Sequence, residues 1–272
     1  MPELPEVEVT RLGLTPLLNL KINQVIIRNY SLRWPILPNL KKILINQVLR
    51  KLSRRGKYIL AELTSGTLII HLGMSGRICI TKKNEPPKKH DHVDIIFGDS
   101  EKVIMRYRDP RRFGSIHWTE KNPYEHKLIK KLGPEPLSEE FSVEYLYHKL
   151  KNKKQCIKNS IMDSHVVVGV GNIYASESLY YSGIKPNRDS NRVLKREVSV
   201  LVKEIKRVIS LAISKGGSTL NDFLDVNGEN GYFQDEHKVY GRENEPCLKC
   251  KTPITQLKLG QRSSFFCKKC QT

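Results

Sequence analysis

The sequence predicts an α+β multidomain protein: a β-rich N-terminal domain entered by a helix, a helical domain, and a small C-terminal cysteine module. Three observations predict it. Short β-prone runs recur from Ile22 to about Trp118, punctuated by Gly, Pro and Asn clusters. A 3.6-residue apolar stripe runs through "VLKREVSVLVKEIKRVISLAI". Two C-x-x-C pairs close the chain. A length of 272 residues is enough for two domains plus a minor one.

The elements follow in order. In "MPELPEVE", Pro2 and Pro5 suit the first turn of a helix. Glu3, Glu6 and Glu8 are acids that favour the positive end of its dipole. Leu4, Val7, Leu12, Leu14 and Leu17 continue a helix-like pattern to about residue 20. The runs "INQVIIRN", "KYILAEL", "TLIIHL", "VDIIF", "KVIMRY" and "SIHW" read as strands of a sandwich or a barrel. "LGPEPLSEEF" reads as a linker entering a helix, with Ser138 as its N-cap. Helical patterns then hold from residue 139 to 215 and stop at Gly216-Gly217. The Gly- and Asn-rich "DVNGENGYF" reads as a mobile loop.

Lys and Arg number 47 against 28 Asp and Glu, a net charge of +19. That excess favours a polyanionic partner, whether DNA, RNA or an anionic membrane surface. The first residues are acidic and proline-punctuated, and no apolar run approaches the roughly 18 residues of a spanning helix. The expected compartment is the cytoplasm, where disulfides are rare. Cys247, Cys250, Cys267 and Cys270 therefore read as metal ligands. The 16 residues from 251 to 266 separate two C-x-x-C turns, a spacing that suits a four-cysteine zinc ribbon. Four thiolates leave no open coordination position, so the zinc is structural. Cys79 and Cys156 stand alone and read as small hydrophobes.

Other segments carry weaker signals. "VVVGVGNIYA" lacks the third glycine of a dinucleotide fingerprint and reads as a Gly169–Gly171 turn opening a helix at Asn172, whose amides suit a phosphate. "KKHDHVD", with His90, reads either as a solvated loop entering a strand or as a basic loop touching DNA. In "DPRRFG", Arg111 and Arg112 beside Phe113 read either as an ordinary turn at Asp109-Pro110 or as a wedge of the kind that kinks duplex DNA. Met74 in "HLGMSG" reads first as core. Lys57 in "RRGKYIL" reads as a surface residue, and Lys153 and Lys158 in "KNKKQCIK" belong to a charge run that equally suits a solvated face or a polyanionic partner. Arg262 in "GQRSSFF" falls near a hairpin turn, solvated or delivered to a phosphate.

Taken together, "MPELPEVE", "RRGKYIL", "HLGMSG", "KHDHVD", "DPRRFG", "LGPEPL", "VVGVGNIYASE" and the paired C-x-x-C closely resemble the bacterial formamidopyrimidine-DNA glycosylases, end to end and in order. The sister endonuclease VIII-like branch opens with Pro-Glu-Gly-Pro, so Leu4 favours the purine-lesion branch. The resemblance implies an N-terminal β-sandwich over 1–133, a helix–two-turns–helix domain over 134–225, a lesion-capping loop and connection over 226–240, and a zinc finger over 241–272. It implies excision of oxidised purines from double-stranded DNA and strand cleavage at the abasic product by a monomeric enzyme.

The resemblance also implies roles. Removal of Met1 exposes Pro2 as a nucleophile. An α-amino group has a pKa of roughly 8 against about 10.4 for lysine, so a useful fraction is uncharged near neutrality. Glu3 matches the family's general acid/base. Lys57 matches a proton donor in β-elimination, and Arg262 the residue tied to δ-elimination and phosphate binding. Met74, Arg111 and Phe113 match an intercalating trio. Arg112 stands within that motif. His90, Lys153, Lys158 and Asn172 match DNA-contacting positions. Two other functions remain compatible with these residues: an oxidised-pyrimidine glycosylase, and a zinc-ribbon DNA-binding protein without catalysis.

Overall fold

Pro5 stands in the first turn of helix α1 (Leu4–Gly13), and the Glu3 and Glu6 carboxyls form a capping box across its N-terminus. The helix is shorter than the apolar pattern suggests. It ends at Gly13, and a single 3₁₀ turn at Thr15–Leu17 carries the chain to the first strand. The computed structural model describes residues 2–82, 85–98, 102–218 and 225–272. The chain divides into two units, residues 1–130 with 215–232, and residues 131–214 with 233–272.

The first unit contains two four-stranded antiparallel sheets. One is ordered β1-β6-β7-β5, from strands Ile22–Ile27, Asp91–Phe97, Val103–Arg108 and Arg77–Lys82. The other is ordered β2-β3-β4-β8, from Leu49–Arg55, Tyr58–Leu63, Gly66–His71 and Ser115–Thr119. Alternate residues of the two sheets fill one core, which includes Ile59, Ala61, Leu68, Ile70, Ile78, Val93, Ile95 and Ile116. Cross-strand pairs Ile59–Ile70 and Ala61–Leu68 fix the register of β3 on β4. Each fully buried Leu or Ile stabilises by about 1.5–3 kcal/mol, so a one-residue slip would turn the whole face out of this core. A short helix α2 (Leu40–Leu44) seals one end with Leu40 and Leu44.

Arg106 lies buried on β7 and binds Asp94 of β6 through two hydrogen bonds of 2.9 and 3.0 Å. Arg28 and Arg108 complete this network through Asp94 and Asp91. Burial pushes the Asp94 carboxyl up, but the Arg28 and Arg106 bonds and charges outweigh it and hold the group below its ordinary range.

The second unit is helical and carries the cysteine module. Its helices are α3 (Val143–Leu150), α4 (Ile157–Met162), α5 (Asn172–Tyr181) and α6 (Lys195–Ser214). Ser142, not Ser138, caps α3, because its hydroxyl accepts the Tyr145 N–H at 3.1 Å. Ser138 instead returns its hydroxyl to the Glu135 carbonyl in the preceding turn. The α6 stripe buries Val198, Leu201, Val202, Ile205, Val208, Ile209 and Ala212. Val193 and Leu194 precede the helix, and the Glu197 carboxylate accepts the Leu194 N–H at 2.8 Å where it begins. The chain between α4 and α5 turns through Gly169 at φ +86°, a conformation glycine adopts without strain.

A hairpin of β9 (Thr255–Leu259) and β10 (Arg262–Phe266) completes this unit. Its small core of Val239, Ile254, Phe265, Cys247 and Cys267 is extended by Tyr180 and Tyr240. The buried Glu177 of α5 accepts the N–H groups of Lys238, Val239 and Tyr240 at 2.8–3.0 Å, which fastens the chain entering the ribbon to the helix.

Candidate active site and DNA-contacting elements

Helix α1 lies against the β2–β3 hairpin, and two contacts set its direction. The Glu8 carboxylate pairs with Arg54 at 2.9 Å, and the Arg11 guanidinium reaches the Leu52 carbonyl at 3.4 Å. Moving back along the helix therefore moves forward along β2. A helix rises about 1.5 Å per residue and a strand about 3.3 Å, so six residues back from Glu8 cover about the same distance as three beyond Arg54. The N-terminus of α1 thus points to the hairpin turn that carries Lys57. Pro2 and Glu3 are both buried at that end. The Glu6 carboxylate accepts the Glu3 N–H and the Ser218 N–H, each at 2.8 Å, and so fixes the first residues of the chain to the segment after α6.

His71, at the end of β4, stands near Lys57. Its Nδ1 accepts the Gly73 N–H at 3.0 Å, which leaves the neutral ring's proton on Nε2. Burial, then the charges of Lys57 and Arg33, pull its pKa down to about 4. The ring is therefore neutral at physiological pH, with its proton on Nε2. Sequence reading passed over His71, although it opens the "HLGMSG" motif.

Met74 and Phe113 are 42% and 48% exposed. They sit on two loops that touch backbone to backbone. A Cβ on Gly73, itself at φ +67°, would come within 2.4 Å of the Phe113 carbonyl carbon. Arg111 and Arg112 are exposed on the same turn, with Arg112 at φ +57°. The structure brings the sequence-marked trio together, and Met74 is not core. His90 is half-buried beside β6, edge-on to His92.

In the second unit Arg262 opens β10, exposed beside the Gly260-Gln261 turn. Asn172 opens α5 and donates from Nδ2 to the Ser263 carbonyl at 3.0 Å and to the Tyr240 hydroxyl at 3.3 Å. Lys158 is not a surface charge. It is 1% exposed, and its ammonium donates to the Ser263 carbonyl at 3.1 Å and the Ser264 hydroxyl at 2.7 Å. Two helices thus grip the backbone next to Arg262. Lys153 is half-buried and paired with Asp163 at 3.1 Å.

The four cysteines fit a zinc ion. Cys247 and Cys270 Sγ lie 3.9 Å apart, Cys250 and Cys267 Sγ 3.4 Å, and all four lie within 4.8 Å of one another. Zn–S bonds of about 2.3 Å in a tetrahedron separate sulfurs by about 3.8 Å. None of the four is in a disulfide. The Tyr180 hydroxyl lies 3.4 Å from Cys247 Sγ, placed to donate to a thiolate.

The segment expected to cap the lesion, residues 226–240, is described throughout, whereas residues 219–224, which precede it, lie outside the described residues. Asp225 closes a tight turn by accepting the Asn227 and Glu229 N–H groups at 2.8 Å. Val226 is buried against Gly13 and its carbonyl accepts the Ile80 N–H, while Tyr232 is exposed.

A β-sandwich beginning at Pro2-Glu3, a helical unit and a four-thiolate ribbon together define a zinc-bearing protein of the DNA-glycosylase class. Three family profiles match consecutive parts of the chain: the formamidopyrimidine-DNA glycosylase N-terminal domain over residues 1–116, the H2TH domain of the same enzymes over 132–223, and the zinc finger found in these enzymes and an isoleucyl-tRNA synthetase group over 244–272. A formamidopyrimidine-DNA glycosylase of Methylobacillus flagellatus is 50% identical over all of this chain and 96% of its own length. The crystal structure of the Thermus thermophilus protein superposes with a TM-score of 0.88 at 33% identity, covering 99% of this chain and 98% of that one. The Lactococcus lactis protein in complex with DNA containing an abasic site superposes with a TM-score of 0.91 at 32% identity, covering 99% of both chains. The chain belongs to the formamidopyrimidine-DNA glycosylase family. No helix among the described residues is long and apolar enough to cross a membrane.

Proposed function

We propose that the chain is a bifunctional base-excision-repair enzyme that removes oxidised purines, 8-oxoguanine and formamidopyrimidines foremost, from duplex DNA and then cuts the strand. The observation that carries this reading is the direction of α1, whose buried first residues Pro2 and Glu3 point to the Lys57 turn. Once Met1 is removed, the secondary amine of Pro2 attacks C1′ of the extruded nucleoside. The C1′–N bond breaks, and its electron pair leaves with the base, which takes a proton. The Pro2 nitrogen gives up its proton and its lone pair opens the C1′–O4′ bond, O4′ taking a proton, and the resulting iminium acidifies the C2′ hydrogen. Loss of that proton expels the 3′ phosphate by β-elimination, and a second elimination expels the 5′ phosphate. Glu3 acts as general acid/base, Lys57 assists β-elimination and holds phosphate, and Arg262 serves δ-elimination and phosphate binding.

His90, Arg112, Lys153 and Asn172 are assigned to DNA contact on the family pattern. Lys158 is assigned to the same face through the ribbon carbonyl it holds. Met74, Arg111 and Phe113 fill the space that the extruded nucleotide leaves. The zinc closes the ribbon and takes no part in the chemistry. Residues 1–133 form the catalytic domain, 134–225 the helix–two-turns–helix domain, 226–240 the capping loop and connection, and 241–272 the zinc finger. The enzyme acts as a monomer in the bacterial cytoplasm, on nucleoid DNA.

Borohydride reduction tests the chemistry, because it fixes an iminium as a stable protein–DNA adduct. Wild-type enzyme is expected to become linked to DNA containing 8-oxoguanine. Pro2→Gly should lose at least nine-tenths of that trapping while still binding the duplex. A wild-type adduct carried by any residue other than Pro2 would refute the assigned nucleophile, and preferred turnover of thymine glycol over 8-oxoguanine would refute the purine assignment.

A further inference from the structure

We propose that Ser75 and Asp109 form a clasp that locks two separate loops into one rigid wedge, making Asp109 a positioning residue for insertion into the duplex. The proposal rests on the reading of Met74, Arg111 and Phe113 as the wedge. The Met74 loop leaves β4 for β5, and the Arg111–Phe113 loop leaves β7 for β8, so each crosses from one sheet to the other. Neither loop has ladder bonds of its own, and each holds an apolar side chain out in water. Two such loops moving independently would lose much of the free energy of insertion to the ordering of their backbones.

Asp109 removes that freedom. It is fully buried, with Oδ1 accepting the Ser75 hydroxyl at 2.7 Å and Oδ2 accepting the Gly114 N–H at 2.8 Å and the Tyr107 hydroxyl at 3.3 Å. Ser75 Oγ in turn accepts the Arg111 N–H at 3.1 Å. One carboxylate therefore joins the residue after Met74 to Gly114, the residue after Phe113, and through the Ser75 hydroxyl to Arg111. Its backbone is tied as well: its carbonyl accepts the Arg112 N–H at 3.2 Å and lies 2.8 Å from His92 Nε2, and its N–H donates to the His90 carbonyl at 3.1 Å.

The glycines around it allow no slack. A Cβ on Gly114 would stand 1.8 Å from the Tyr107 hydroxyl, and one on Gly76 2.1 Å from the Leu72 carbonyl oxygen. Among the described residues this carboxylate is held by neutral donors rather than by a cation. A buried carboxylate of this kind is a costly way to fill a core. It is a good way to converge donors from two loops on one point, because bonds to an ionised acceptor are short and strong.

The experiment is stopped-flow fluorescence with duplexes that carry 8-oxoguanine opposite cytosine and 2-aminopurine next to the lesion, run beside single-turnover excision and affinity for undamaged duplex. Ser75→Ala removes the bridging hydroxyl with little demand on folding. Asp109→Asn keeps the shape and removes the charge. Both are expected to slow the 2-aminopurine rise and the excision rate about tenfold, with affinity for undamaged DNA within twofold of wild type. Wild-type insertion and excision rates in both variants would overturn the clasp. So would a fall in fluorescence matched by an equal fall in affinity for undamaged DNA. Wild-type enzyme that excises the lesion with no 2-aminopurine rise would instead refute the wedge reading itself.

Discussion

The Lys158 ammonium donates to the ribbon backbone one residue beyond Arg262, which changes what its loss should do. Hydrogen bonds to a charged group contribute about 1.5–3 kcal/mol, and the Ser264 hydroxyl it meets is itself fully buried. Lys158→Ala is therefore expected to lower stability by about 2 kcal/mol and to shift products from δ- toward β-elimination as Arg262 loses its support. A denaturant midpoint and a product gel check the two halves; an unchanged midpoint would return Lys158 to the surface. The sequence shows Lys158 only as the end of a charge run, because its partner lies 105 residues further on. Asp109 shows the same limit. "DPRRFG" marked the turn, yet the bonds that define Asp109 go to Ser75, 34 residues earlier, and to Gly114.

At the level of elements, what was legible is what local chemistry dictates. Prolines and acids at the chain start declare α1, short β-prone runs punctuated by Gly, Pro and Asn declare the strands, and C-x-x-C pairs declare the ribbon. The start of α3 was misplaced by four residues, from Ser138 to Ser142, because both serines precede acids and only one meets an unpaired helix N–H. The ribbon's core is too small to stand without its metal. Metal analysis is expected to find one zinc per chain. Its removal by a thiol-reactive mercurial should make residues 241–272 protease-sensitive and abolish strand cleavage. A metal-free ribbon that stays resistant would contradict a structural zinc.

Across the whole molecule, the division into units was only partly visible. Residues 215–232 return to the β unit after the helices, and composition carries no sign of a return in space. Acid sensitivity is also a property of the whole. His71 and His117 in the first unit and His237 in the second each have a pKa pulled down to about 4, in every case first by burial. Unfolded histidines titrate near 6.5, so between about pH 6.5 and 4 the unfolded chain binds protons that the native chain does not. The stability these neutral rings provide is present above pH 6.5 and is lost as pH falls toward 4. The urea midpoint should hold from pH 8 to 7, then drop between pH 7 and 5. His71→Gln should flatten that drop, and a midpoint level from pH 7 to 5 would show these rings to be as open to protons in the fold as in the coil.

The most direct measurement on the central chemistry is peptide mapping of the borohydride-reduced adduct by mass spectrometry. The account predicts that the reduced sugar is carried on the nitrogen of Pro2, in a peptide from which Met1 is gone. An adduct on Lys57 or any other side chain, or a trapped protein that retains Met1, would contradict it.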